Sequence, residues 1–275
     1  MKGLVLVTGG TGFVGRQILR ALAEQGVPTR AVIRTGTHAR LEQIHGLERV
    51  ITSTDLFAES ADWWAKTCEG VDTIIHGAWY AEPGKYLMSP KNLDCLLGTM
   101  HLAKGAVLAG VRRLVGIGSC FEYDLSQGML SVDAPLRPTT PYAGAKAAAY
   151  MALVHWLPAQ GVEFAWCRTF YLYGEGEDTR RLVPYVRAKL DAGEPAELTS
   201  GNQIRDYLDV REAGRMIVHE ALGQRQGAVN ICSGTPITVR ELVVRIADQR
   251  GRRDLLRFNA RPENAVDPPC VVGVK

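Results

Sequence analysis

Leu4-Val5-Leu6-Val7-Thr8-Gly9-Gly10-Thr11-Gly12-Phe13-Val14-Gly15 is the stretch from which the rest of the chain can be read. Leu4 to Val7 is an uninterrupted apolar run with two β-branched residues, the pattern of a strand buried on both faces, and it stops at small residues. A helix is expected from Arg16, because Ile18, Leu19, Leu22 and Ala23 recur at helical spacing until Gly26 and Pro28 break the pattern. Glycines at 9, 12 and 15 let the backbone turn tightly and approach a pyrophosphate, while the start of the helix offers free N–H groups to it. Strand, glycine turn, helix and a second strand about twenty residues on are the context that a dinucleotide site requires. Gly9, Thr11, Gly12, Phe13, Val14 and Gly15 are therefore the candidate coenzyme cradle.

With 275 residues, 46% hydrophobic and 22% charged, the chain has an ordinary globular composition, enough for one large α/β domain or two modest ones. A net charge of +3 without a lysine or arginine stripe argues against a nucleic-acid partner. No stretch approaches 18 uninterrupted apolar residues and the chain opens on a strand without a leader, so a cytoplasmic protein with no membrane partner is expected. Cys68, Cys95, Cys120, Cys167, Cys232 and Cys270 occur singly, which predicts small buried side chains rather than disulfides or a metal site.

The second strand, Thr29 to Ile33, ends at Arg34. An acidic residue at this point holds the ribose 2′-hydroxyl of NAD, whereas a basic one accommodates the 2′-phosphate of NADP. No carboxylate follows before Glu42, so Arg34 predicts NADP, with NAD the less favoured coenzyme. Val50-Ile51 is a short third strand leading to Asp55 and Leu56, where a carboxylate can accept from the adenine amino group. Val71 to Ala78 is a fourth strand; Gly77 and Ala78 are small enough to pass close to a coenzyme, and His76 is read as packed rather than catalytic. The aromatic loop that follows places Trp79 and Tyr80 at a substrate pocket. Asn92 to Leu108 reads as a helix and Arg113 to Gly118 as a strand that delivers Ser119 to its carboxyl end. Strands alternating with helices predict a doubly wound parallel sheet, the Rossmann arrangement, with ligands beyond the carboxyl ends of the strands.

Tyr142-Ala-Gly-Ala-Lys146 opens an Ala-rich helix introduced by Pro138 and Pro141. Four residues apart, phenol and ammonium share one helical face, and the ammonium is expected to lower the tyrosine pKa from its usual value near 10. Tyr142 then moves a proton at neutral pH, with Ser119 as its companion.

The motifs Gly9-x-x-Gly12-x-x-Gly15, Ser119-Cys-Phe-Glu-Tyr123, Tyr142-x-x-x-Lys146, Arg168-Thr-Phe-Tyr-Leu-Tyr173-Gly174 and Arg205-Asp-Tyr-Leu-Asp-Val210 together resemble the extended short-chain dehydrogenase/reductases, the nucleotide-sugar epimerase, dehydratase and reductase family. The resemblance implies that Ser119 holds the reacting oxygen, Tyr142 is the acid or base, and Lys146 also holds the nicotinamide ribose. It implies a Rossmann domain over 1–167 and a smaller, mainly substrate-binding domain over 168–275, with segments such as 205–235 returning to the first. Phe170 is expected at the coenzyme, and Cys120, Phe121 and Tyr171 at the sugar. Arg205 is expected at the diphosphate, a sensible use of a bidentate cation. Helices over Asn92 to Leu108 and Ala143 to Leu157 are apolar on more than one face, and the family commonly pairs them in a homodimer.

Three departures from the family pattern stand out. Tyr171 replaces the usual Asn, Cys95 replaces another Asn with Asn92 one turn earlier, and the chain ends at Val271 to Lys275 where relatives typically continue, so part of a lid is expected to be absent. The expected activity is NADPH-dependent reduction of a nucleotide-linked 4-keto-6-deoxy sugar. An NAD-dependent nucleotide-sugar 4-epimerase and a non-catalytic NADP-binding sensor are the alternatives. A dehydratase is disfavoured, since its usual Asp-Glu pair beside the serine is here Cys120 and Phe121, and Glu122 is poorly placed to substitute.

Overall fold

The computed structural model describes residues 3–42, 44–264 and 267–275. β1 (Val5–Thr8) leads into α1 (Phe13–Glu24), followed by β2 (Thr29–Arg34), β3 (Leu47–Ser53), α2 (Ala61–Thr67), β4 (Thr73–His76) and α3 (Lys91–Leu108). Next come β5 (Arg113–Ser119), β6 (Met129–Leu130), α4 (Pro141–Ala159) and β7 (Glu163–Thr169). The second half adds β8 (Tyr171–Tyr173), α5 (Leu182–Asp191), β9 (Ala196–Glu197), β10 (Ile204–Asp209), α6 (Val210–Leu222) and β11 (Gly227–Ile231). It closes with β12 (Pro236–Thr238), α7 (Val239–Asp248), β13 (Leu256–Arg257) and β14 (Cys270–Gly273).

Seven strands form one parallel sheet in the order β3-β2-β1-β4-β5-β7-β11. The expected doubly wound α/β architecture is present. Alternate side chains of each strand face opposite layers: Val5, Val7, Ala31, Ile33, Ile75 and Val115 pack against Ile18, Leu19 and Leu22 of α1 and Ile217 and Val218 of α6. Leu6, Val32, Ile74, Leu114, Phe164 and Trp166 meet Trp64 of α2, Leu102 and Ala106 of α3, and Leu153 and Leu157 of α4. Each fully buried aliphatic side chain contributes about 1.5–3 kcal/mol, against roughly 0–1 kcal/mol for a half-exposed ion pair such as Arg112–Asp72. The two-faced apolar sheet therefore dominates stability.

The elements differ from the sequence reading chiefly at their ends. α1 starts at Phe13 rather than Arg16, because Gly12 is already the extended residue before the helix. β3 runs well beyond Val50-Ile51; as the sheet's edge it exposes Glu48 and Arg49, which dilute its apolar signal. Both β11 and α6 join the layers of the large sheet from the second half of the chain. A smaller sheet, β12-β10-β14-β6 with β8 also paired to β10, carries the other flank of the site. Among the described residues no helix is long and apolar enough to cross a membrane.

Two buried polar networks tie these layers together. His76, at the end of β4, lies between Thr8 Oγ1 at 2.8 Å and Thr99 Oγ1 at 3.0 Å. Thr99 spends its own proton on the Cys95 carbonyl, so His76 Nε2–H donates to Thr99, and Nδ1 accepts from Thr8, which in turn accepts from the Ala78 N–H. His76 is thus packed and neutral, as expected, and burial pulls its pKa down to about 3. The second network centres on Glu122, which accepts from Ser119 N at 2.7 Å, Trp166 Nε1 at 3.0 Å and Arg168 Nε at 2.8 Å. Arg168 Nη1 donates to the Tyr123 hydroxyl, which donates to Asn230; the Asn230 amide reaches the carbonyls of Leu130 and Val274.

Because the unfolded chain binds a proton at His76 below pH 6.5 and the folded chain resists it to about 3, this contribution to stability is complete above 6.5 and falls as pH drops through that window. His76→Leu removes a slope of up to about 1.4 kcal/mol per pH unit, measured by urea unfolding across it. At the second network, Glu122→Gln strands the Arg168 charge and lowers the unfolding free energy by about 3–5 kcal/mol. Combining it with Arg168→Met costs less than the sum of the two single changes; simple additivity would show that the pair does not act as a unit.

Candidate active site

The site is built at the carboxyl ends of β1, β4 and β5 and the start of α4. Thr140 caps α4 by accepting from Ala143 N at 3.2 Å, and Pro141 occupies the first turn, where its missing N–H is harmless. Ala143, Ala147 and Ala149 are buried, so the helix comes close to its neighbours and brings Tyr142 and Lys146 to the end of β5. Ser119 is the last residue of that strand; its N–H is held by Glu122, and its Oγ accepts from Phe121 N at 3.2 Å. The Ser119 side chain faces the Tyr142 hydroxyl and acts to lower its pKa. Ser119, Tyr142 and Lys146 are thus brought together.

Their electrostatics differ from the expectation that Lys146 lowers the tyrosine pKa. Burial is the largest influence on Tyr142 and pushes it up, Tyr86 adds to the rise, and the Ser119 side chain opposes it. Lys146, only 3% exposed, is itself pulled down to about 7 by burial, with Glu122 and Cys95 opposing. Its Nζ donates to the Ile117 carbonyl at 2.5 Å and lies 3.8 Å from the centre of the Trp79 ring, so its charge is not directed at the phenol. Tyr142 is therefore held as a phenol, a proton donor.

On the coenzyme side, Gly9 has φ +73°, and a Cβ on Gly15 would stand 2.0 Å from the Gly9 carbonyl oxygen. No residue larger than glycine fits there without moving the turn. No side chain caps α1, whose N-terminal N–H groups thus stay open to an anion. A Cβ on Gly9 would come within 2.7 Å of Ala78 N, which places Gly77 and Ala78 directly against the cradle. Thr11, Phe13 and Val14 lie at the turn's partly exposed rim. Arg34 is exposed at the end of β2 and forms no ion pair among the described residues. Asp55 is exposed, its carboxylate accepting from Phe57 N, with Leu56 partly buried beside it. These residues fit a dinucleotide. Phe170 does not present its side chain to this cleft: it packs with Tyr123, Cys232 and Val271, and its N–H donates to Ile231.

The substrate-side expectations divide. Trp79 stands edge-on to Tyr142, and Phe121 meets Tyr171 with ring centres 6.3 Å apart. Tyr80 is turned away, its hydroxyl donating to Glu82 at 2.9 Å, and Cys120 is 2% exposed, its thiol pushed up to about 12 by burial. Arg205 is buried 5.3 Å from the Tyr171 ring centre and pairs with Asp267 at 2.7 Å, not with Asp206 or Asp209. Asp206 instead accepts from the N–H groups of Ser233, Gly234 and Gly273. Tyr86, at the end of the aromatic loop that the sequence assigns to the pocket but not itself singled out there, is edge-on against Tyr142 at 4.8 Å, and Arg181, which sequence reasoning missed, lies beside it. Sequence reasoning also missed the Glu122–Arg168 pair, for which a charge directly after the apolar run Phe164 to Cys167, still within β7, is the available signal. Glu122 is fully occupied there, and no carboxylate stands at positions 120 or 121.

The sequence model of the NAD dependent epimerase/dehydratase family matches residues 5–232. The dTDP-6-deoxy-L-talose 4-dehydrogenase (NAD(+)) of Aggregatibacter actinomycetemcomitans is 22% identical, with 98% of this chain and 99% of that protein covered. The dTDP-4-dehydro-6-deoxy-D-allose reductase of Streptomyces bikiniensis is 25% identical, with 95% of this chain and 86% of that protein covered. The UDP-N-acetylglucosamine 4-epimerase of Methanobrevibacter ruminantium M1, solved with UDP-N-acetylmuramic acid, superposes with a TM-score of 0.89 at 21% identity over all of this chain and 90% of its own. With the glycine cradle, the parallel sheet and the Tyr142–Lys146 helix in place, the chain belongs to the NAD dependent epimerase/dehydratase family and is an NAD(P)-dependent enzyme of the extended short-chain dehydrogenase/reductase type.

Proposed function

We propose that the protein reduces the 4-keto group of a nucleotide-linked 6-deoxyhexose, using NADPH in preference to NADH. The observation that carries this reading is the Ser119–Tyr142 pair, in which burial keeps the tyrosine a proton donor and no acid stands beside the serine to promote dehydration. The two relatives named for redox chemistry at C4 of a dTDP-6-deoxy sugar support the substrate class. Coenzyme choice rests on Arg34, which has the charge to meet a 2′-phosphate and no protein carboxylate engaging it among the described residues.

Bound coenzyme supplies the hydride. Ser119 Oγ holds the ketone oxygen, and Tyr142 passes its proton to that oxygen as negative charge develops there. The uncapped N-terminus of α1 would hold the pyrophosphate of a bound dinucleotide, and Lys146 its ribose. At the far end, Arg205 accepts the sugar's diphosphate by exchanging Asp267, which anchors the substrate at a distance from the reacting carbon.

The test is stoichiometric loss of NADPH with a panel of 4-keto-6-deoxy sugar nucleotides, followed by the product's C4 configuration. NADPH is preferred over NADH by at least about tenfold in kcat/KM, and Arg34→Asp reverses the order. Equal specificity for both coenzymes refutes the Arg34 assignment, and interconversion of two sugar nucleotides without net coenzyme loss establishes the epimerase instead. Tyr142→Phe keeps the ring but removes the proton, so turnover falls by roughly 10²–10⁴-fold while coenzyme binding persists. Near-native turnover in that variant excludes Tyr142 as the donor.

A further inference from the structure

Lys146 carries its amino group into the interior and forms no ion pair among the described residues. One of its three donors goes to the Ile117 carbonyl at 2.5 Å, and its closest aromatic surface is the Trp79 indole, with ring centre 3.8 Å away. The indole of Trp166 lies farther off, at 5.6 Å. Trp79 is not free to drift. Its Nε1 donates to Asn92 Oδ1 at 2.9 Å, and the Asn92 amide is itself tied to the carbonyls of Tyr86 and Ser89. Phe57 and Tyr142 meet the ring edge-on at 6.4 and 6.5 Å. The position follows the small pair Gly77-Ala78, so the indole is the first bulky side chain beyond the carboxyl end of β4.

We propose that Trp79 is a positioning residue for Lys146: its indole face stabilises the buried ammonium and holds it where it meets the ribose of a bound dinucleotide. The ribose clause rests on the proposed function, whereas the contact itself is made between the chain's own residues. A cation over an indole face gains most when both are desolvated, which is the situation of a lysine 3% exposed. Other groups face Lys146 from each neighbouring element. Glu122, after β5, and Cys95, on α3, favour the charged form, while His76 on β4 is neutral, and burial still draws Lys146 down to about 7. The indole thus acts at a group balanced near neutrality, where a small loss of support changes its charge.

The experiment uses the full coenzyme-free chain with lysine labelled with ¹³C at the ε carbon, titrated by NMR, Lys146 being assigned from the signal lost in Lys146→Arg. The native midpoint is expected near 7. Trp79→Leu lowers it by about one pH unit, a tenfold loss of proton affinity, and Trp79→Phe, which keeps a π face, recovers part of the shift. An unchanged midpoint in Trp79→Leu overturns the proposal, because a ring that merely fills space would alter thermal stability without moving the titration. Calorimetric NADPH and NADH affinities then test the ribose clause: Trp79→Leu weakens binding more at about pH 8 than at about pH 6 if Lys146 must be charged. Equal weakening at both overturns that clause. If the native chain binds neither dinucleotide, the coenzyme reading and the ribose clause both fail, while the titration still decides the Trp79–Lys146 contact.

Discussion

The buried pairing of Glu122 with Arg168 is the constraint around which the site is assembled. Two opposite charges, each essentially without solvent, are supported there by further donors to Glu122 and by the Tyr123 hydroxyl on Arg168 Nη1, while Arg168 Nη2 is buried without a hydrogen-bond partner. Glu122 takes three donors from three places: the backbone of Ser119, the indole of Trp166 and the guanidinium of Arg168. Arg168 in turn lies 4.5 and 4.4 Å from the ring centres of Tyr123 and Tyr150. The end of β5, the strand β7, the helix α4 and, through Asn230, the small sheet are thereby fixed to one another. The placement of Ser119 relative to Tyr142 follows from this network rather than from either residue alone.

Around that point the two flanks have different physical characters. The dinucleotide side is mostly backbone: a glycine turn, an uncapped helix start and the small pair Gly77-Ala78, all shaped to leave room. The opposite flank is built from long side chains, with Phe121, Tyr171 and Tyr207 grouped near Arg205. The neighbours Arg205 and Asp206 illustrate how sharply roles can change along a strand. Arg205 is paired to Asp267, a partly exposed carboxylate, whereas Asp206 is consumed by three backbone N–H groups and holds the fold.

What the sequence made legible was what lies close along the chain. The glycine turn from Gly9 to Gly15 and the helix carrying Tyr142 and Lys146 depend on spacing within one turn or one helix, and both elements are present. The charge relationship between Tyr142 and Lys146 was not legible, because it depends on Trp79 and on depth of burial, which no local spacing encodes. Glu122 and Arg168 are 46 positions apart, and the partner of Arg205 is Asp267 rather than the two aspartates beside it. Edge strand β3 was under-read for a related reason: its exposed Glu48 and Arg49 obey the sheet's boundary, not the periodicity of a buried strand. Tyr80 sits in the right segment but gives its hydroxyl to Glu82, and Cys120 is buried beside Tyr142 and Tyr171, depths and partners that only packing settles.

The order of strands in the small sheet carries a consequence for how the molecule assembles. β14 lies between β10 and β6 and pairs with both, so the centre of that sheet is supplied by residues 270–273. Its partner β6 is at 129–130, and contacts of such long sequence separation form slowly because a large loop must close before they are rewarded. During synthesis the large sheet can gather most of its strands while β6 and β10 still present open edges towards each other. The flank bearing Arg205 is therefore a late-maturing part of the protein, and its completion seals two strand edges at once.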